Sequence, residues 1–227
     1  MSKIVIANWK SHKTMETAAE WVLAFSAQVS STTLENVAIA LAPSMPFMTS
    51  LRSALPSQVA LAVQDVSPFP PGKYTGAVAA GQLAGLGVKY AIVGHSERRQ
   101  YFGETNSDVA NKVAQCLENG ITPVVCVDDE YVVSQAAALE DGHAAKCVVA
   151  YEALSAIGTG SNMDAAHVEE ITQQIKQTFG QVSVLYGGSV SAGNVSEYKD
   201  ISDGWLVGTA SLEVDDFVSL VSAVARW

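Results

Sequence analysis

Apolar residues gather in eight short runs along this chain, and the stretches between them follow a different rhythm. The runs are Lys3–Ala7, Val37–Ala42, Val59–Val63, Tyr90–Val93, Thr122–Val127, Lys146–Ala150, Val182–Leu185 and Gly204–Val207. They favour Val, Ile and Ala without clean apolar–polar alternation, which is the pattern of parallel strands covered on both faces. Between them, Glu16–Val29, Ser107–Glu118 and Asp164–Phe179 space apolar residues three and four apart with charges opposite, predicting amphipathic helices. Ser107 and Asp164 stand where N-caps are expected, and Gly120 follows Asn119 as a helix stop. Ser44-Met45-Pro46 opens a shorter helix after the second run. Strand and helix alternating at a step of about 28 residues predict a closed (β/α)8 barrel of the α/β class, one domain over residues 1–227. An open doubly wound sheet is the rival, but the first run is not followed by a G-x-G-x-x-G turn.

Chemistry enters through position. Lys10, His95, Glu152, Ser189 and Gly208 each fall just past the C-terminal end of a run. A barrel gathers such strand ends into one ring, where its active sites are built, whereas an open sheet spreads them in a line. Glu152 follows Cys147–Tyr151 and precedes a small-residue loop that closes on Gly158-Thr159-Gly160. A carboxylate beside a loop of that kind is placed to act as a base in a pocket shielded from water. His95 precedes Ser96-Glu97-Arg98-Arg99, a helix start, and the positive potential there favours a neutral imidazole able to donate to a substrate oxygen. Asn8 and Lys10 leave the first strand on the same side, two residues apart, while Trp9 between them reads as packing. Gly158, Ser189 and the pair Gly208-Thr209 offer backbone N–H groups with little obstruction, as anion binding requires.

Composition narrows the partners. Thirteen Lys and Arg against 23 Asp and Glu leave a net charge of −10, which argues against nucleic acid or an anionic membrane surface. A phosphate substrate would therefore depend on local cations and backbone donors. Cys116, Cys126 and Cys147 are odd in number and show no metal spacing, and two lie in strand-like runs. They read as buried reduced thiols. The first strand begins at Lys3 with no signal-peptide core before it, and no run reaches membrane-spanning length. These features together predict a cytoplasmic protein.

Asn8-Trp9-Lys10, Gly94-His95-Ser96-Glu97-Arg98-Arg99, Tyr151-Glu152 with Ala156-Ile157-Gly158-Thr159-Gly160, and Tyr186-Gly187-Gly188-Ser189-Val190 occur in this order along the chain. Together, over residues 3–223, they resemble the triosephosphate isomerase family. The resemblance implies a TIM barrel and interconversion of dihydroxyacetone phosphate with D-glyceraldehyde 3-phosphate, in glycolysis and gluconeogenesis, without metal or organic cofactor. It assigns Glu152 as the proton-shuttling base and His95 as the electrophile, a pairing taken from the family's own chemistry. Lys10, oriented by Asn8 and paired with Glu97, supplies the cation, and Gly158, Ser189, Gly208 and Thr209 hold the phosphate.

The same resemblance has the loop Asp65–Gly76 dock into a second subunit, with Thr75 near that subunit's Asn8–Lys10 site. A homodimer is expected, a tetramer being the alternative because only 25 residues separate Cys126 from Glu152. Three sites depart from the family pattern: Ala153-Leu154-Ser155 replaces Pro-Val-Trp, Thr209 replaces Gly, and Ala77 replaces a Glu that would pair with Arg98 across the contact. Two other readings stand beside this one: another phosphosugar isomerase or aldolase on the same barrel, and a catalytically silent phosphate-binding barrel. A Schiff-base aldolase would need a lysine near the end of the sixth strand, where Lys146 stands at the start instead, and a catalytically silent barrel would tolerate loss of Glu152 or His95.

Overall fold

Short apolar runs too poor in polar residues to face water must be covered on both sides, and here the covering is a barrel. The structure, a computed structural model, describes residues 2–154 and 163–227. Strands β1 (Lys3–Asn8), β2 (Val37–Ala42), β3 (Ala60–Val63), β4 (Val88–Val93), β5 (Thr122–Val127), β6 (Val148–Tyr151), β7 (Ser183–Tyr186) and β8 (Gly204–Val207) pair in parallel, in chain order, into a closed sheet. Alternate residues point inward and outward. Ile6, Ala40, Ile92, Val124, Ala150 and Leu206 fill the lumen, while Val5, Leu41, Val93, Val125, Val149 and Val207 meet the helices. The seam is β1 against β8 in the register Ile4↔Gly204. A Cβ on Gly204 would stand 1.9 Å from the Ile4 carbonyl oxygen, so only glycine lets the last strand approach the first.

Around the barrel lie α1 (Met15–Gln28), α2 (Ser31–Asn36), α3 (Met48–Arg52), α4 (Ser96–Phe102), α5 (Asn106–Glu118), α6 (Tyr131–Ala138), α7 (Ala165–Phe179) and α8 (Val214–Val224). The expected alternation is broken in two places. Only the 3-10 turn Ala80–Leu83 lies between β3 and β4, and only Val195–Tyr198 between β7 and β8. Asp164 caps α7 as expected. Ser107 does not cap α5. Thr105 does, its hydroxyl accepting the Asp108 amide while the Asp108 carboxylate accepts the Thr105 amide. That reciprocal pair satisfies two amides otherwise left without partners, which Ser107 alone would not do. The sixth strand also starts later than expected. Lys146 ends a 3-10 turn, the strand opens at Val148, and Tyr151 belongs to it.

Trp9 is packing, as its alternation predicts. It is buried edge-on against Trp21 with ring centroids 4.9 Å apart, Trp21 stacks on Phe25, and Phe217 of α8 closes the group. The Trp9 indole N–H donates to the Ser211 carbonyl at 3.2 Å. This anchor between β1, α1 and α8 turns Trp9 outward and leaves Asn8 and Lys10 at the mouth. All three thiols are buried and free, and burial pushes those of Cys116 and Cys147 up to about 12.

Candidate active site

Lys10 is held by its backbone before its charge is considered. Its φ is 51°, a left-handed conformation that L-residues avoid at a cost of about 1–3 kcal/mol. Three contacts keep it there: its amide donates to Asn8 Oδ1 at 3.1 Å, and its carbonyl accepts from Gln64 Nε2 at 2.8 Å and Ser44 Oγ at 3.3 Å. The ammonium then meets Glu97 Oε1 at 2.5 Å. Asn8 thus bonds the Lys10 backbone and Glu97 pairs with its ammonium.

His95 follows a forced turn. Gly94 has φ 72°, and a Cβ there would strike the Arg99 guanidinium and Val109. The Gly94 amide donates to Glu104 Oε1 at 2.8 Å, which ties the turn to a network in which Glu104 also meets Arg98 and Lys112, and both of those reach Asp65. Burial works to raise the Glu104 carboxyl, but the Lys112 and Arg98 contacts and the Gly94 amide hold it below its ordinary value. Burial pushes Asp65 up against the pull of Lys112 and Arg98. Arg98 therefore finds its carboxylates within its own chain. His95 itself caps α4. Its Nδ1 accepts the Glu97 amide at 3.2 Å, which assigns the proton to Nε2.

That Nε2 lies 3.2 Å from Glu152 Oε1. Glu152 leaves β6 with its amide bonded to the Val127 carbonyl at 2.8 Å, and it is 2% exposed, a burial that a carboxylate tolerates only when bonded. Its partners come from Ser96: the Ser96 amide donates to Oε2 and the Ser96 hydroxyl to Oε1, both at 2.8 Å. Ser96 was missed in the sequence, where a small polar residue after a histidine looks like any first helical position. Its place in the first turn of α4, where backbone amides lack partners within the helix, one residue after His95, was the signal available. Beneath the carboxylate, Cys126 is fully buried, and burial followed by the Glu152 charge keeps its thiol well above its ordinary range.

Asn8, Lys10, His95 and Glu152 line a cavity of about 420 Å³ together with Ser189, Gly208 and Thr209. The Gly208 carbonyl is fixed by the amide and hydroxyl of Ser211, at 2.8 and 2.7 Å, which sets the turn carrying Thr209. Glu213 and Asp216 border the same cavity. Gly158 falls outside the described residues. Thr75 is exposed and borders neither this cavity nor a second one of about 620 Å³ beside it, which shares Lys10 and His95 and reaches Glu97, Arg98 and Phe102. Among the described residues no cluster of three or more His, Cys, Asp or Glu is arranged to hold a metal, and no helix is long and apolar enough to cross a membrane.

The arrangement sets a nearly dry carboxylate and an imidazole N–H side by side in a pocket that a lysine ammonium and glycine-bearing backbone turns also line. Such a pocket can move a proton on a carbon next to a polarised carbonyl. A family model described as triosephosphate isomerase matches residues 3–224. Triosephosphate isomerase of Mesomycoplasma hyorhinis is 40% identical over 240 residues, covering 98% of this chain and 99% of that protein. Those of Paracidovorax citrulli and Thermus thermophilus are each 36% identical, covering 98% and 97% of this chain and 98% of each relative.

Proposed function

From the premise that this chain belongs to the triosephosphate isomerase family, we infer that it interconverts dihydroxyacetone phosphate and D-glyceraldehyde 3-phosphate with its own side chains as the catalysts. The observation that carries this reading is the 3.2 Å approach of His95 Nε2 to Glu152 Oε1, both lining one cavity with Lys10, Ser189, Gly208 and Thr209. Glu152 removes a proton from the carbon beside the carbonyl and returns it to the neighbouring carbon. His95 donates from Nε2 to the oxygen on which charge grows and moves protons between the two oxygens. Lys10 stabilises the enediolate, and the turns at Ser189 and Gly208-Thr209 hold the phosphate.

The carboxylate does not begin free. Both of its oxygens accept from Ser96, and those bonds draw on the charge that the carboxylate would otherwise direct at the substrate C–H. A substrate oxygen competes for the same His95 N–H that Glu152 accepts, which loosens the carboxylate as the carbonyl is polarised. Gly158 joins the phosphate site by resemblance. The test is an isomerase assay coupled to a triose dehydrogenase on the purified chain, with and without a chelator. Turnover that the chelator leaves unchanged is expected, and a chain that does not interconvert the two triose phosphates refutes the reading.

A homodimer in the cytoplasm completes the proposal. Phe69 and Tyr74 stack with centroids 4.5 Å apart on the protruding loop, 44% and 43% exposed, which supports burial of that tip in a second copy. The cavity of about 620 Å³ beside Lys10 supports this reading as the recess in which Thr75 of the loop would complete the neighbour's site. The buried, free thiols suit a reducing compartment. A one-chain mass in light scattering at micromolar concentration refutes the docking, and a four-chain mass favours the tetramer.

A further inference from the structure

Asp129 lies between β5 and α6, and the isomerisation as derived makes no use of it. Its Oδ1 accepts from the Tyr151 hydroxyl at 3.0 Å and stands 3.2 Å from His167 Nε2. Tyr151 is the last residue of β6, fully buried and adjacent to Glu152. His167 lies in α7, its ring edge-on to that of Tyr151 with centroids 6.4 Å apart, and its other nitrogen is 4.0 Å from Glu170. One carboxylate oxygen thus joins the exits of β5 and β6 to the start of α7. Burial, reinforced by the Asp129 charge, raises the Tyr151 phenol well above its ordinary range, so it remains a donor and the carboxylate its acceptor.

The main chain around the base has two fixed points. The Glu152 amide is bonded to Val127 O at 2.8 Å, and the Tyr151 carbonyl accepts from the Gly187 amide at 2.7 Å. These bonds set how far β6 reaches along the barrel. The side chain next to Glu152 is the Tyr151 phenol, on the opposite face of the strand, and it is the group through which this strand end meets Asp129 and the His167 ring of α7. A shift of that ring is passed to Glu152 through the single peptide that joins them. A misplacement of roughly 1 Å at a reacting group is enough to cost about a hundredfold in rate.

We propose that Asp129 is a positioning residue for the base: by fixing the Tyr151 hydroxyl, with His167 holding it from α7, it sets the direction in which Glu152 leaves β6. The proposal rests on the isomerase reading in which Glu152 is the base. It explains why a half-exposed carboxylate is engaged from two elements, and it gives His167, which the sequence left without a role, a contact of its own.

The test is steady-state kinetics of the full chain and of Asp129→Ala, Asp129→Asn and Tyr151→Phe. In Asp129→Ala and Tyr151→Phe, kcat should fall about tenfold while KM stays within about twofold, because the phosphate is held from other strands. Asp129→Asn keeps an oxygen that accepts from Tyr151 and should recover kcat to within about threefold of the unmodified chain. Tyr151→Phe removes a single oxygen from a ring that stays packed, so it gives the answer even if Asp129→Ala does not fold. The proposal is overturned if the folded variants keep full kcat, if kcat and KM worsen together, or if Asp129→Asn is as impaired as Asp129→Ala. An unmodified chain that does not isomerise overturns the reading beneath it, and the proposal with it.

Discussion

Replacing Glu152 with Gln separates the chemistry of the site from its packing. The side chain keeps its shape, but its hydrogen-bonding capacity changes at three known contacts. The amide oxygen can take the Ser96 N–H that Oε2 now accepts at 2.8 Å. The amide NH2 then faces the Ser96 hydroxyl, which can rotate to accept, and His95 Nε2, which cannot, because Nδ1 already accepts the Glu97 amide. Two donors meet at the former 3.2 Å contact in a site 2% exposed. One unmet buried donor costs about 1–3 kcal/mol, which in a chain of this size lowers Tm by roughly 2–4 °C per kcal/mol. Turnover should fall much further than stability. Loss of a general base is worth about 10²–10⁴ in rate, or some 3–5 kcal/mol at 1.36 kcal/mol per decade. Thermal melts and the coupled assay on the same preparation give both numbers. A folded Glu152→Gln variant within tenfold of the unmodified kcat would refute Glu152 as the base.

Lys10→Gly and Lys10→Ala both remove the ammonium and should both abolish most turnover, but Gly is free of the left-handed strain at φ 51°; after its larger unfolded-state entropy is set against this, it should be more stable than Ala by about 1 kcal/mol, and equal melts would remove the strain argument. The Glu104 carboxyl is held below its ordinary value in the folded chain, so its contribution is present above the unfolded value near pH 4 and is lost as pH falls through the folded one, while the raised Asp65 contributes in the opposite sense. Glu104→Gln should therefore flatten the fall of Tm between about pH 5 and 3, and an unchanged slope would count against the network as an acid-sensitive element. Thr209→Gly restores the family's turn in the cavity lining; tighter competitive inhibition by inorganic phosphate is expected if the β-branched side chain crowds the anion, and unchanged or weaker inhibition refutes crowding.

The strands and the ring of residues at their C-terminal ends could be read from the chain because each depends on a local run: a buried parallel strand announces itself in four to six apolar positions. Boundaries set by side-chain reciprocity could not be read the same way. Thr105 caps α5 only through its exchange with Asp108, and Ser107 looked equally suitable one position at a time. Lys146 seemed to open the sixth strand, but a 3-10 turn precedes Val148. The missing parts of the site were those made by closure. Ser96 reaches Glu152 across 56 positions with only its place after His95 to mark it, and Asp129 reaches His167 across 38 with no local mark. The family pattern suggested an Arg98 pair across subunits through position 77, which Ala77 cannot make. Arg98 instead meets Asp65 and Glu104 in its own chain, a substitution of partners that no local pattern encodes.

The seam at Ile4 and Gly204 also dictates an order of events during synthesis. The two residues that close the barrel are 200 positions apart, so β1 leaves the ribosome long before its neighbour on that side exists. Pairing with β2 covers one edge early, but the other presents open backbone groups until β8 has emerged, and an open edge recruits other chains. The interval is fixed by translation speed, and at about 5–20 residues per second it lasts on the order of 10–40 s. A wedge at position 204 would prolong it indefinitely, since any side chain there collides with the Ile4 carbonyl. The cost of losing this glycine would then appear as aggregated nascent chains, before any folded barrel existed whose stability could be measured.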